Sequence, residues 1–202
     1  MIGIVNYNIG NLASVKNAII KAGGIASVES DADKLKNYDR LILPGVGAFG
    51  DAMKHLKTSG MEEAILEFAK SGKPLLGICL GMQLLFEKSY EFGEHCGLGL
   101  LSGEVVKFKE SDLKKGDKIP HMGWNLVEKC KESPLFKGVE SPMFLYFVHS
   151  FCVRNLQNAI GVSCYGIKFA SMVQKDNIFG IQPHPEKSHN IGLKILENFI
   201  NL

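Results

Sequence analysis

Five consecutive residues, Gly77-Ile78-Cys79-Leu80-Gly81, hold the most chemistry per residue in this 202-residue chain. They form G-x-C-x-G directly after the apolar run Leu75–Ile78, and the spacing of Met82, Leu85 and Phe86 predicts a helix behind them. A strand turning sharply into a helix, with a reactive side chain at the corner, is a nucleophile elbow, here in a cysteine version. Glycines on either side remove the Cβ atoms that would clash in so tight a turn. The helix start then favours an anion at the corner, and its free N–H groups can hold an oxyanion. An isolated cysteine at a strand end would be an ordinary small core residue; the flanking glycines and the strand favour a nucleophile.

A thiol nucleophile needs a base, and the base needs a group to orient it. His184-Pro185-Glu186 supplies both types two residues apart, just after the predicted strand Ile178–Gln182. The imidazole is then expected at a strand's C-terminal end, the edge where open α/β sheets bind ligands, and beside Cys79 if the two strands are neighbours. Without the elbow, the same tripeptide would read as a surface turn. Pro44-Gly45-Val46-Gly47 follows another predicted strand, and its glycine N–H groups could face the same oxyanion, although such a turn is usually only a tight loop. His55, His95, His121 and His189 have no partner at metal-ligand spacing, so no metal site is expected. Neither G-x-G-x-x-G nor G-x-x-x-x-G-K-[ST] occurs, and nucleotide binding has no motif.

These groups need a scaffold, and the first half of the chain reads as one. Ile2–Val5, Ile25–Val28, Leu41–Leu43 and Leu75–Ile78 are predicted strands. Between them lie a helix over Leu12–Ala22 ended by Gly23-Gly24, and a short helix capped by Asp31. A further helix presents Met61, Ala64, Ile65, Phe68 and Ala69 on one face. Alternation of this kind predicts a mostly parallel sheet with helices on both faces. The second half changes character. Glu104–Phe108, Phe144–Val148, Ala159–Val162, Ala170–Gln174 and Ile178–Ile181 read as strands with little helix between, predicting an antiparallel extension of the sheet. Lys107–Lys118 reads as a solvated loop, and Ile191, Ile195, Leu196, Phe199 and Ile200 as one face of a closing helix. With no repeat and no linker, residues 1–202 are expected to be one α/β domain.

Composition sets the outer limits. The chain is 46% hydrophobic and 22% charged, with 23 basic against 21 acidic residues, which excludes disordered and low-complexity classes. Roughly 70% of the unfolded surface should be buried at this size. A net charge of +2 with only two arginines, Arg40 and Arg154, gives no ground for nucleic acid or an anionic membrane as partner. Five cysteines without a C-x-x-C pair favour a reducing cytoplasm over a disulfide framework. The start, MIGIVNYNIG, does not read as a signal peptide, and Leu75–Phe86 is too short to span a bilayer.

P-G-V-G at 44–47, G-I-C-L-G-M-Q at 77–83 and Q-P-H-P-E-K-S at 182–188 together resemble the class I, triad-type glutamine amidotransferases. N-Y-N-I-G-N at 6–11, P-H-M-G-W-N at 120–125 and Y-F-V-H-S at 146–150 are similar, within that family, to the glutaminase subunits of imidazole glycerol phosphate synthases. The resemblance spans nearly the whole chain. It implies a single class I amidotransferase domain that makes ammonia from L-glutamine, without a cofactor, for a separate (β/α)8-barrel cyclase subunit of histidine biosynthesis.

By that resemblance Cys79, His184 and Glu186 are the catalytic triad, and the N–H groups of Gly47 and Leu80 are the oxyanion donors. Gln83, Gly45, His149, Ser150 and Phe151 contact glutamine, and Asn8, Asn11, Trp124 and Tyr146 face the partner; Trp124 could instead be a core residue. The implied route is thiolate attack on the γ-carboxamide, release of ammonia, and hydrolysis of a γ-glutamyl thioester. Two positions depart from the family pattern: Pro183 stands where an aromatic residue is usual, and Phe151 where tyrosine is frequent. Three other readings fit parts of the sequence. A paralogous amidotransferase feeding a sugar-modifying synthetase would keep every catalytic residue. A stand-alone cysteine hydrolase would not need P-G-V-G or Gln83, and a silent partner-binding subunit would not need the triad.

Overall fold

The computed structural model describes all 202 residues. In chain order the first half is β1 (Ile2–Val5), α1 (Leu12–Lys21), β2 (Ala26–Glu29), β3 (Arg40–Leu43), α2 (Phe49–Thr58), α3 (Met61–Lys70), β4 (Leu75–Ile78) and α4 (Leu80–Leu84). The second half is β5 (Phe86–Ser89), β6 (His95–Cys96), β7 (Leu101–Lys107), β8 (His121–Lys129), β9 (Met143–His149), β10 (Phe151–Val153), β11 (Ala159–Tyr165), β12 (Ile167–Lys175), β13 (Ile178–Ile181) and α5 (His189–Ile200).

All thirteen strands join one sheet. Its main path runs β2-β1-β3-β4-β13-β12-β10-β7-β5-β6, and β11, β8 and β9 branch from β12. The first five strands of that path are mutually parallel. From β12 onward the pairing is antiparallel, apart from the parallel pair β5–β7. The α/β architecture with a parallel half and an antiparallel extension is therefore as the sequence predicts.

Alternation along each strand divides its side chains between two cores. Leu41, Leu43 and Leu75 face α2 and α3, against Phe49, Met53, Ile65 and Phe68. Ile42, Leu76 and Ile78 face α1 and α5, against Val15, Ile19, Ile195 and Phe199. Strands buried on both faces read as unbroken apolar runs, which is why β1, β3 and β4 are so plain in the sequence.

Several elements differ from expectation. The helix after the elbow stops at Leu84, and Phe86 begins β5, whose pairing with Leu101 of β7 overrides the helical spacing of Met82, Leu85 and Phe86. Helix α2, strand β6, strand β8 and the short β10 have no counterpart among the predicted elements. The loop after Lys107 is mostly exposed and holds one 3-10 turn at Glu110–Asp112, but its first residue, Phe108, is fully buried against His149, Tyr165 and Phe169. No helix is long and apolar enough to cross a membrane.

Candidate active site

Strands β4 and β13 are parallel neighbours, with Gly77 opposite Gly180 and Ile78 opposite Ile181. Their C-terminal ends deliver Cys79 and, three residues past β13, His184 to the same edge of the sheet. Cys79 sits at the corner between β4 and α4 with φ 55° and ψ −111°. A side chain at such a φ is strained, at a cost of about 1–3 kcal/mol, and is held there only by the surrounding structure. The glycines supply that hold. A Cβ on Gly81 would lie 1.8 Å from the Leu43 carbonyl oxygen, and one on Gly77 would lie 2.5 Å from the Gly81 oxygen. Only bare backbone lets α4 press this closely on β3 and β4.

The imidazole of His184 meets Glu186 through Nδ1 and Oε1 at 2.8 Å, and both side chains are almost wholly buried. The pairing directs Nε2 away from the carboxylate. Nε2 has no hydrogen bond of regular geometry, and the Cys79 thiol is the acidic group that faces it. Burial alone would push the His184 pKa down. The Cys79 thiol and the Glu186 carboxylate outweigh it and hold the imidazole up to about 10. Cys79 Sγ also contacts the Val148 carbonyl at 3.9 Å and accepts from Gln182 Nε2 at 3.8 Å.

A cavity of about 340 Å³ opens over these groups, lined among others by Gly47, Leu80, Gln83, His149, Ser150 and Phe151. The N–H of Leu80 is the first of a helix and has no intrahelical acceptor. That of Gly47 is taken by no backbone carbonyl, and Gly47 holds φ +93° with open space around its Cα. Gly45 is not on the cavity wall. It lies beneath it, where a Cβ would meet Gly81 N and Leu80 Cβ at 2.8 Å. It packs closely against the elbow. Tyr7 fixes the same loop by donating to the Pro44 carbonyl at 2.7 Å, and burial, with Cys79 nearby, raises its phenol well above the usual range.

Glu91 is a wall residue that sequence reading missed. It comes from the loop after β5, and its Oε2 accepts the Phe49 N–H at 2.7 Å at the start of α2. With Lys187 it gives the cavity one carboxylate and one ammonium, the complement of a zwitterionic amino acid. No spacing in the sequence links residue 91 to the elbow; only the turn from β5 brings it there.

Of the residues expected to face a partner, Asn8 and Asn11 are exposed in the loop before α1, where Asn11 Oδ1 accepts from Ser14 N at 3.4 Å. Trp124 and Tyr146 are cross-strand neighbours on β8 and β9, with ring centroids 6.0 Å apart. Trp124 is 40% exposed and stacks on His189 at 4.9 Å, so it is a surface residue. The five cysteines are all free, and no three His, Cys, Asp or Glu side chains cluster as metal ligands would.

Comparison with known proteins bears on the same residues. A family model described as glutamine amidotransferase class-I matches residues 5–202. The chain is 62% identical over 204 residues to imidazole glycerol phosphate synthase subunit HisH of Wolinella succinogenes, covering 100% of both chains. It is 61% identical over 201 residues to the subunit of the same name from Sulfurimonas denitrificans, covering 98% of this chain and 97% of that one. Among solved structures, PurLQS from Thermotoga maritima superposes with a TM-score of 0.78 at 22% identity, over 99% of this chain and 97% of the other. A crystal structure of a glutamine amidotransferase gives 0.75 at 18% identity, over 100% and 99%. At these identities the two structures speak for the fold, whereas the family match and the full-length relatives speak for descent: the chain belongs to the class-I glutamine amidotransferases.

Proposed function

We propose that residues 1–202 act as one glutaminase domain, which cleaves L-glutamine to glutamate and ammonia and passes the ammonia to a (β/α)8-barrel cyclase subunit. There it enters the formation of imidazole glycerol phosphate and AICAR. The observation that carries this reading is the convergence of Cys79, on a strained elbow, with a buried His184–Glu186 pair on the adjacent strand. Full-length relatives named as synthase subunits support the acceptor.

In this mechanism Cys79 thiolate attacks the γ-carboxamide carbon while the Leu80 and Gly47 N–H groups take the oxyanion. Imidazolium at His184 gives its Nε2 proton to the leaving nitrogen, and ammonia departs. The neutral imidazole then takes a proton from water, which attacks the thioester and releases glutamate. Glu186 keeps Nδ1 protonated and Nε2 facing the sulfur throughout. A His184 held protonated at neutral pH is the proton donor this scheme requires. Gln83, Ser150 and Phe151 form the wall against the substrate's side chain, and Glu91 complements its α-ammonium.

The partner surface is the outward face of β8 and β9. Met122, Trp124, Leu126 and Phe144 lie on it at 62%, 40%, 41% and 49% exposure. Adjacent exposed side chains of this size fit a docking surface better than solvent. The chain is a reducing-compartment, cytoplasmic enzyme in this reading. The test titrates the barrel subunit, with its nucleotide-like ligand bound, against this chain while glutamate release is followed. A rise of at least about 10² in rate on saturation is expected, the size of one oxyanion donor brought into place. Full activity of the chain alone, or a flat rate as binding saturates, would refute coupling.

A further inference from the structure

We infer that the buried pair His121 and His149 is a positioning device, which orients the Gln83 side chain through the Phe151 carbonyl and so sets the preference for an amide over a carboxylate in the cavity. The inference rests on the glutaminase reading above.

His121 opens β8 and His149 closes β9, and the two are opposite one another in the antiparallel register. His121 Nδ1 and His149 Nε2 are 2.8 Å apart, and His149 Nδ1 is 2.8 Å from the Phe151 carbonyl oxygen. A carbonyl only accepts, so the His149 proton is on Nδ1 and its Nε2 is an acceptor. His121 must then donate from Nδ1 and accept at Nε2, where Asn125 Nδ2 stands at 3.2 Å. The far end is fixed as well. Asn125 Oδ1 accepts from Leu126 N at 2.8 Å, and its amide nitrogen also donates to the Cys164 carbonyl at 3.0 Å. The chain Asn125 to His121 to His149 to Phe151 therefore has one direction and no place for another proton. Protonating either ring would break a hydrogen bond.

The surroundings keep both rings neutral. His121 stacks between Phe147 at 4.8 Å and Tyr165 at 4.1 Å, and Phe108 and Phe169 close on His149 at 5.3 Å each. Asp117 is the anion nearest in effect on His121, and Lys114 borders the same outer recess; His184 is the cation that acts on His149. Burial lowers the pKa of His121 to about 4, against the pull of Asp117, and that of His149 to about 3.

The Phe151 carbonyl that receives this chain also accepts from Gln83 Nε2 at 3.1 Å. The second Nε2 proton of Gln83 goes to Gln182 Oε1 at 3.0 Å. Both donors of the Gln83 amide are thus spent inside the protein, and its one uncommitted polar atom is the acceptor Oε1. Since Gln83 lines the cavity, what it can offer a ligand is an acceptor. An acceptor pairs with the –NH2 of a carboxamide and repels the carboxylate of glutamate, the product. Without the His149 donor, the Phe151 carbonyl loses one of the two groups that aim it, and the Gln83 amide is free to turn its Nε2 outward.

Two measurements test this. In the chain labelled with 15N at histidine, imidazole spectra at pH 7 should show two buried neutral rings, both protonated at Nδ1; an Nε2–H tautomer or a charged ring at either position would overturn the proposal. In the complex, the ratio of the glutamate inhibition constant to the glutamine KM should fall about tenfold in His149→Leu. It should stay within about threefold of wild type in His149→Asn, whose amide can still donate to Phe151. An unchanged ratio in His149→Leu, or equal losses in both variants, would also overturn it. If His149→Leu does not fold, His149→Phe, which keeps a ring in the aromatic cluster but has no donor for the Phe151 carbonyl, is read in the same way. Absence of glutaminase activity in the wild-type complex would sink the functional reading instead. In that case calorimetric binding of glutamine and glutamate to the same variants supplies the ratio.

Discussion

The Cys79 N–H donates to the Ile181 carbonyl at 2.8 Å, so the elbow is bonded to the strand that carries His184. This bond continues the β4–β13 ladder one residue beyond the strand ends. It fixes the register of Cys79 against His184: a slip of either strand by one residue would break it and turn the alternating side chains to the wrong face. His184 N in turn donates to the Tyr146 carbonyl at 2.8 Å, and Ser188 Oγ donates to the His184 carbonyl at 2.6 Å. The His184 backbone is thus held at its N–H by β9, which also carries the proposed partner face, and at its carbonyl by the Ser188 hydroxyl.

Cys79→Ala and Cys79→Ser should abolish glutamine hydrolysis in the complex while leaving synthesis from added ammonia. His184→Ala should lose several orders of magnitude in kcat, and Glu186→Gln less, because an orienting carboxylate contributes less than the base. Glutamate release and product formation, measured separately, check this. Glutaminase activity near wild type in Cys79→Ala would remove the cysteine from the mechanism.

The strained φ of Cys79 makes a separate thermodynamic prediction. Cys79→Gly should be more stable than Cys79→Ala by about 1 kcal/mol, since glycine alone relaxes at φ 55°. Urea denaturation of the two variants measures the difference. Equal midpoints would mean that the corner is unstrained.

His184 is held at about 10, above its ordinary value of 6.5, so the folded chain keeps a proton that the unfolded chain loses between those values. The stabilisation from this site is therefore complete below about pH 6.5 and is lost as pH rises through about 10. The stability of wild type relative to His184→Gln should shrink over that window. A difference that grows with pH would reverse the sign of the pKa shift.

Gly81→Ala should destabilise the chain by at least about 3 kcal/mol, because the new Cβ would meet the Leu43 carbonyl oxygen and backbone must move. Gly99→Ala is the control: φ is +64° but nothing lies within 4 Å, so only about 1 kcal/mol of backbone strain is expected. Denaturant midpoints of the two variants should differ accordingly.

Glu91→Ala should cost about 1 kcal/mol of stability through the lost bond to the Phe49 N–H, since Ala48 at the N-cap has no side chain to replace it. It should also raise the KM for glutamine. Stability lost with KM unchanged would confine Glu91 to capping α2.

The doubly buried strands and the elbow were legible because their signals are local: continuous apolar runs for β1, β3 and β4, and glycines two residues either side of Cys79. Helix α2 carries a regular apolar stripe of Phe49, Ala52, Met53 and Leu56, but it follows directly on the Pro44–Gly47 turn and no stop signal sets its start apart. Strand β5 was hidden because Met82, Leu85 and Phe86 also fit a helix; only Leu101, fifteen residues on, decides the matter. Strand β8 leaves Met122, Trp124 and Leu126 facing outward, against the rule by which strands are recognised. Glu91 and the His121–His149 link depend on contacts between residues 28 to 42 positions apart, which no spacing rule reaches.

Nine strands, β5 to β13, separate Cys79 from His184 in order of synthesis, yet β13 is a central strand, inserted between β4 and β12. A growing chain has Cys79 long before residues 178–186 exist, and meanwhile β4 and β12 present unpaired edges. The last 25 residues therefore close the sheet and bring His184 to Cys79 in one event, so a chain clipped before β13 should release no ammonia. The β12–β13 turn at Asp176–Asn177 is where such a molecule could be divided. Two pieces meeting there should regain activity together, and its return would time the docking of β13 with α5.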